Sequence, residues 1–198
     1  MLHAVLATHN LGKLAEFEQM LGPDSPLILQ PYPTGGREIV EETGTTYVQN
    51  AELKAHTVAQ KCRTYALADD SGIEVDALDG APGVYSANFV SDIPWENTRE
   101  ILLRLAEVPW AKRTARMRSV LCLAAPDGRQ WLSEGVVEGI VLMAPQGVKG
   151  FGMDPIFSVD GGKTSWAQWD PVEKNRSSHR GQALVQLVDY LRRDGLIS

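Results

Sequence analysis

Residues 68–72 read Ala68-Asp69-Asp70-Ser71-Gly72, two adjacent carboxylates directly after the apolar run Tyr65-Ala66-Leu67. Neighbouring carboxylates repel unless a cation, a basic group or solvent separates them, so the pair reads as a metal and water site on a tight turn at a strand end. The plain alternative is an exposed acidic turn, because Asp, Ser and Gly are ordinary turn formers. Four other segments carry chemistry of their own. In Thr8-His9-Asn10-Leu11-Gly12-Lys13, a glycine-containing strand-to-helix turn can aim backbone N–H groups and an ammonium at phosphate, although the spacing is not that of a Walker P-loop. Lys13 falls in the first turn of the expected helix, where positive charge is unfavourable, and a nearby anion would explain it. Glu41-Glu42-Thr43-Gly44 precede Asn50 and Lys54, which share a helix face at i and i+4, and these carboxylates could join Asp70 on a metal. A charge run before a helix can equally be solvated and favourable to the helix dipole.

Gly150-Phe151-Gly152-Met153-Asp154-Pro155 places an aromatic between glycines, suited either to lie flat under a base or to plug the local core. Lys174-Asn175-Arg176-Ser177-Ser178-His179-Arg180 is rich in donors at a helix start. Lys and Arg only donate, so the segment favours a ligand edge made of acceptors, such as a purine with a 6-keto group, over the 6-amino group of adenine. A solvent-facing basic helix start is the alternative.

The elements that must position these segments alternate between strand and helix, an α/β signature. Ala4–Ala7 is a strand, followed by a helix with Leu14, Phe17 and Leu21 at helical spacing. Thr46 and Gln49 fit a capping box at the head of a helix whose apolar positions are Ala51, Ala55, Val58, Ala59 and Cys62. A strand over Tyr65–Ala68 comes next. Asn97 with Glu100 marks another helix start, with Ile101, Leu102 and Leu105 on its buried face and Pro109 as its stop. Ser119–Ala125 and Gln130–Leu142 are β-rich runs joined by the hairpin signal Pro126-Asp127-Gly128-Arg129, so the sheet is expected to be mixed. Gln182–Arg193 is an amphipathic helix with Gly195 as its stop.

A chain of 198 residues, 43% apolar and 22% charged, is expected to form one domain over 1–198 with no linker or low-complexity segment. A net charge of −6 argues against non-specific nucleic-acid binding, which needs clustered Lys and Arg. Cys62 and Cys122 lie in apolar stretches without metal-ligand spacing and read as buried reduced thiols. No signal peptide and no bilayer-spanning run is present, so a cytoplasmic protein without membrane contact is expected.

Seven segments in the same order along the chain resemble the inosine triphosphate pyrophosphatase family. They are Thr8–Lys13, Glu41–Gly44, Asn50-Ala51 with Lys54-Ala55, Ala68–Gly72, Gly80-Ala81-Pro82-Gly83-Val84-Tyr85-Ser86-Ala87, Gly150–Phe157 and Ser178-His179-Arg180-Gly181-Gln182-Ala183. The resemblance implies an elongated mixed β-sheet with flanking helices, two lobes around a central nucleotide cleft, and a homodimer. It also implies hydrolysis of non-standard purine triphosphates (ITP, dITP, XTP) to monophosphate and pyrophosphate, which cleanses the nucleotide pool. Carried over by motif, Thr8, His9, Asn10, Leu11, Gly12, Lys13 and Lys54 hold the triphosphate, and Glu41 with Asp70 binds Mg²⁺, with Glu42 the other candidate. Ser71 contacts substrate beside them, while Phe151, Gly152, Met153, Asp154, Lys174, His179 and Arg180 form the base pocket.

The implied reaction is Mg²⁺-assisted attack of water on the α-phosphorus, with Asp70 as proton acceptor or metal ligand and Lys13 and Lys54 taking up the leaving charge. Met153 stands where the family commonly has Tyr or Phe, which softens one wall of the pocket. Trp166 and Trp169 replace smaller or aliphatic residues, as dimer contacts or as core. Two other readings are a Maf-like pyrophosphatase acting on pyrimidine triphosphates and a non-catalytic nucleotide sensor. A phosphatase releasing orthophosphate is a further one.

Overall fold

Each apolar run marked as a strand is one in the computed structural model, which describes residues 1–32 and 40–198. Strand β1 (Leu2–Leu6) pairs in parallel with β2 (Leu27–Pro31) on one side and with β3 (Tyr65–Val75) on the other. Strands β4 (Thr114–Ala124) and β5 (Gln130–Val141) follow, joined by the expected hairpin turn with Gly128 at φ 94°. The short β6 (Phe157–Ser158) runs antiparallel to β5, giving the order β2-β1-β3-β4-β5-β6. The sheet is therefore mixed, and the α/β expectation holds.

Among the described residues five α-helices accompany it: α1 (Leu11–Leu21), α2 (Tyr47–Cys62), α3 (Pro94–Arg104), α4 (Pro171–Ser177) and α5 (His179–Arg193). Asn10 caps α1 by accepting from the Lys13 N–H at 3.1 Å. Thr46 caps α2 in the same way through Gln49 N at 3.2 Å, while the Gln49 side chain takes the N–H of Thr45 rather than that of Thr46.

Strand β4 starts at Thr114 rather than Ser119 and α5 at His179 rather than Gln182, and three other boundaries differ from expectation for a physical reason. Helix α3 begins at Pro94 instead of Asn97, because proline at the first helical position has its φ set for the helix and no N–H to lose. Asn97, freed from capping, is buried and ties down the preceding loop. Its side chain accepts from Val90 N and Ser91 N and donates to Ala87 O and Ser91 O. The same helix ends at Arg104, well before Pro109. The third difference concerns the Asp69-Asp70 segment, which is no turn: β3 runs through it to Val75. Gly72 is needed there for a close approach, since a Cβ would lie 2.3 Å from Gly83 O and 2.4 Å from Ser86 Oγ. The Ser86 hydroxyl accepts from Ile73 N at 2.9 Å and donates to Gly83 O, fastening the 83–86 loop onto β3.

The chain divides into two compact units. Unit 1 comprises 1–70, 119–135 and 180–198, and unit 2 comprises 71–118 and 136–179. Unit 1 has a core of Leu6, Phe17, Leu27, Leu67, Leu121 and Leu123 closed by Leu184, Leu187 and Leu191 of α5. Each of these side chains contributes about 1.5–3 kcal/mol by leaving water. Unit 2 packs Ile73, Val75, Ile101, Leu105, Ile156, Phe157 and Trp166 together. Its buried Arg113 donates to three backbone carbonyls, those of Leu105, Val141 and Leu142.

Candidate active site

Asp69 and Asp70 are consecutive on a strand, so the pleat sends their side chains to opposite faces. That single geometric fact separates the pair. On one face, Asp69 Oδ2 lies 2.9 Å from Lys13 Nζ of α1 and 2.9 Å from Arg180 Nη2 of α5, and Oδ1 accepts from the Ser119 hydroxyl at 2.6 Å. Arg180 also donates through Nη1 to Glu16, one turn along α1 from Lys13. On the other face, Asp70 Oδ1 lies 2.9 Å from Lys54 Nζ of α2, and Asn50 on the same helix face donates to Oδ2 at 3.3 Å. Lys54 Nζ reaches Glu42 Oε1, also at 2.9 Å, so Asp70 and Glu42 share one ammonium.

These surroundings drive the two carboxyls apart. Burial alone would push the Asp69 carboxyl up, but Arg180, Lys13 and the Ser119 hydroxyl outweigh it and hold Asp69 well below the usual carboxylate range. Asp70 goes the other way: burial raises it, Lys54 pulls it back only in part, and Glu42 adds to the rise. Lys13 is lowered, chiefly by burial, with Lys54 and Arg180 adding to the effect against Asp69. Lys54 is also buried, yet Asp70 and Glu42 keep it raised. The anion that explains a lysine in the first turn of α1 is thus internal, and it is Asp69.

In unit 2, Asp154 is the organiser. Its Oδ2 accepts from Phe151 N at 2.9 Å and lies 2.7 Å from Lys174 Nζ, with both charged groups buried. Gly150 has φ 69°, and a Cβ there would sit 2.0 Å from Asp154 Oδ2, so only glycine allows this loop its path. The Lys174 ammonium lies 5.4 Å from the Phe151 ring centroid. Thr98 of α3 donates to Gly152 O at 3.3 Å and approaches Met153 Sδ at 3.6 Å, so the softer residue at 153 is held from behind. His179 is buried against the Trp166 ring.

The residues nominated from sequence therefore fall into groups. Asp70 and Lys54 meet in unit 1, joined by Glu42 rather than by Glu41, which is exposed and makes no bond to this centre among the described residues. Lys13 lies with Asp69. Thr8 accepts from Asn10 N, and His9 and Leu11 are exposed beside them, with Gly12 in the first turn of α1. The His9 ring lies 6.0 Å from that of Tyr32. Ser71 is half-buried next to Asp70 on β3. Phe151, Gly152, Met153, Asp154 and Lys174 form one cluster in unit 2. Arg180, nominated with that cluster, has its Nε, Nη1 and Nη2 on the carboxylates of Asp69 and Glu16 in unit 1. Sequence reasoning passed over Glu16 and Ser119. A glutamate next to Phe17 on the inward side of α1 was a usable signal for the first, and nothing marked the second.

Oxygen donors of this kind suit Mg²⁺. No group of three or more His, Cys, Asp or Glu side chains gathers to hold a metal among the described residues. Magnesium is commonly held by one or two carboxylates together with substrate phosphates and water, so Asp70 with Glu42 is a sufficient protein share.

The fold and site define an α/β protein with a buried lysine–carboxylate centre on its third strand. Residues 4–190 match the Ham1 family, and the chain belongs to that family. A dITP/XTP pyrophosphatase of Nitratidesulfovibrio vulgaris is 45% identical over 196 residues, covering 93% of either chain. One from Desulforamulus reducens is 44% identical over 96% of this chain and 95% of its own. Among solved structures, a HAM1 protein from Coxiella burnetii superposes with a TM-score of 0.85 at 38% identity, over 98% of this chain and 100% of that one. A nucleoside-triphosphatase, or dITP/XTP pyrophosphatase, from Mycobacterium abscessus gives 0.73 at 36% identity, over 93% and 98%.

Proposed function

We propose that this chain hydrolyses non-standard purine nucleoside triphosphates, ITP, dITP and XTP, to the monophosphate and pyrophosphate, cleansing the nucleotide pool. The observation that carries the reading is the split of the carboxylate pair: Asp69 is consumed by Lys13, Arg180 and Ser119, while Asp70 stands beside Lys54 and Glu42. The names of the relatives support the same reaction. Thr8–Lys13 and Lys54 bind and orient the triphosphate, the first turn of α1 offering backbone N–H groups that have no helical partner. Water attacks the α-phosphorus, the bond to the bridging oxygen breaks, and the lysines offset the charge on the departing pyrophosphate.

Asp70 is the residue nearest this chemistry, either as proton acceptor or as a metal ligand, since a bound cation would lower its carboxyl and leave activation of the water to the metal. Mg²⁺, held by Asp70 and a glutamate of the 41–42 pair, would neutralise phosphate charge and acidify the attacking water. The resemblance points to Glu41, and the shared contact with Lys54 favours Glu42. Phe151 and Met153 offer surface to the base, and Lys174 and His179 offer donors to its 6-oxo edge. Arg180 acts through Asp69, holding it in place, rather than on the base.

The proposal includes a homodimer and a cytoplasmic location. Among the described residues no helix is long and apolar enough to cross a membrane. A nucleotide panel with Mg²⁺, scored for pyrophosphate against orthophosphate, tests the function, and sedimentation velocity tests the dimer. Pyrophosphate from ITP, dITP and XTP in strong preference to ATP and GTP is expected. Turnover confined to UTP or TTP would favour the pyrimidine-specific reaction, orthophosphate release would favour a phosphatase, and no turnover a sensor.

A further inference from the structure

Lys174 and His179 have a common neighbour in unit 2, Trp166. Its ring is 1% exposed and lies parallel to the His179 imidazole, with centroids 5.6 Å apart and planes 8° from parallel. The Lys174 ammonium is 5.6 Å from the same ring, as well as 5.4 Å from Phe151. Phe157 meets Trp166 edge-on at 4.7 Å and 66°, fixing the indole from another side. Trp166 Nε1 is buried with no hydrogen-bond partner among the described residues. A donor buried in this way costs stability, so the indole is not retained for its N–H. What it adds over phenylalanine or leucine is a larger, more electron-rich face, and that face is where the imidazole and the ammonium lie.

We infer that Trp166 is a positioning residue for base selection, its indole face setting the plane of the His179 imidazole beside the Lys174 ammonium that Asp154 holds. The inference rests on the proposed function, in which these two groups donate to the 6-oxo edge of the purine. A hydrogen bond weakens steeply as its angle departs from linear, so an imidazole free to tilt would read oxo against amino less sharply. Trp166 touches no reacting atom. Its effect should therefore fall on substrate affinity and base preference, and not on the chemical step.

The test compares Trp166→Leu and Trp166→Phe with the wild-type protein, using ITP and ATP as paired substrates and the ring protons of His179 in NMR spectra as a readout independent of turnover. Trp166→Leu should raise KM for ITP about tenfold, with kcat changed by less than about threefold, and lower the ITP-to-ATP ratio of kcat/KM by about tenfold. Trp166→Phe, which keeps a ring and drops the buried donor, should restore most of that ratio. The upfield ring-current shift of His179 should vanish with leucine and persist in part with phenylalanine.

An equal fall for ITP and ATP, or a loss confined to melting temperature, would make Trp166 simple core and overturn the inference. If the leucine variant does not fold, the phenylalanine variant decides. A loss of about twofold or more in the ratio, carried by KM, supports the inference, and an unchanged ratio refutes it whatever the His179 shifts. A wild-type protein that releases no pyrophosphate from ITP overturns the functional reading itself. Wild-type activity combined with an unaltered ratio in the leucine variant overturns this inference alone.

Discussion

Asp69→Asn is the substitution that tests the reasoning about the carboxylate pair most directly. The residue is 1% exposed, and its Oδ2 carries Lys13 at 2.9 Å and Arg180 at 2.9 Å. The amide keeps the shape and can still accept one hydrogen bond, but it removes the negative charge between two buried cations. Arg180 retains Glu16, whereas the hydrogen bond left to Lys13 among the described residues is the one to the backbone carbonyl of residue 69 at 3.2 Å. Removing one partner of a buried ion pair costs about 3–5 kcal/mol, because the remaining charge stays desolvated. For a chain of 198 residues that corresponds to a fall of roughly 10 °C in melting temperature.

The effect should depend on pH with a definite sign. The folded-state carboxyl of Asp69 is held far below its unfolded value, so the ionised form is the stabilising one. That stabilisation is complete above about pH 5 and is lost as pH falls through the unfolded value near 4 toward the much lower folded one. Thermal melts followed by circular dichroism at pH 7 and at pH 3 should therefore show a wide gap between wild type and variant that narrows in acid. A variant melting within about 2 °C of wild type at pH 7, or a gap that stays constant to pH 3, would refute the assignment of Asp69 as the permanently charged anchor.

Other outcomes follow from the same geometry. Asp70→Asn should lose about a hundredfold or more in kcat toward ITP at saturating Mg²⁺ while keeping its circular dichroism spectrum, and near-normal turnover would remove Asp70 from the chemistry. Because Glu42 and Asp70 share Lys54, Glu42→Gln should raise the Mg²⁺ concentration for half-maximal rate by about 10- to 100-fold. Glu41→Gln should shift it less than about threefold, and the reverse order in a Mg²⁺ titration would assign the metal to Glu41. Gly150→Ala places a Cβ 2.0 Å from Asp154 Oδ2 at φ 69°. It should destabilise by about 1–3 kcal/mol in denaturant unfolding and raise KM for ITP more than it lowers kcat.

Much of the layout could be read along the chain because it is local. Helical spacing located Leu14, Phe17 and Leu21 on α1 and the apolar face of α5, and Asn10 and Thr46 are caps because their side chains reach back only three residues. The hairpin at Pro126–Arg129 and the parallel-plus-antiparallel character of the sheet are of the same kind. The failures are equally physical. Asp, Ser and Gly in a row predicted a turn at 69–72, but buried cations neutralise the carboxylates and Gly72 admits the 83–86 loop, so the strand continues.

By itself, then, the chain specified which segments carry donors, carboxylates and aromatics, and on which kind of element each lies. Tertiary structure alone decided who meets whom. Arg180 and Asp69 are 111 residues apart, and Lys174 and Asp154 are 20 apart, so no short-range spacing could pair them. The decision came from desolvation: a buried charge must find a partner, and the faces that α1, α2 and α5 present to β3 determine which one is available. Two adjacent aspartates that look equivalent in sequence come to differ because the pleat of β3 turns them to opposite faces, one toward Lys13 and Arg180 and the other toward Lys54.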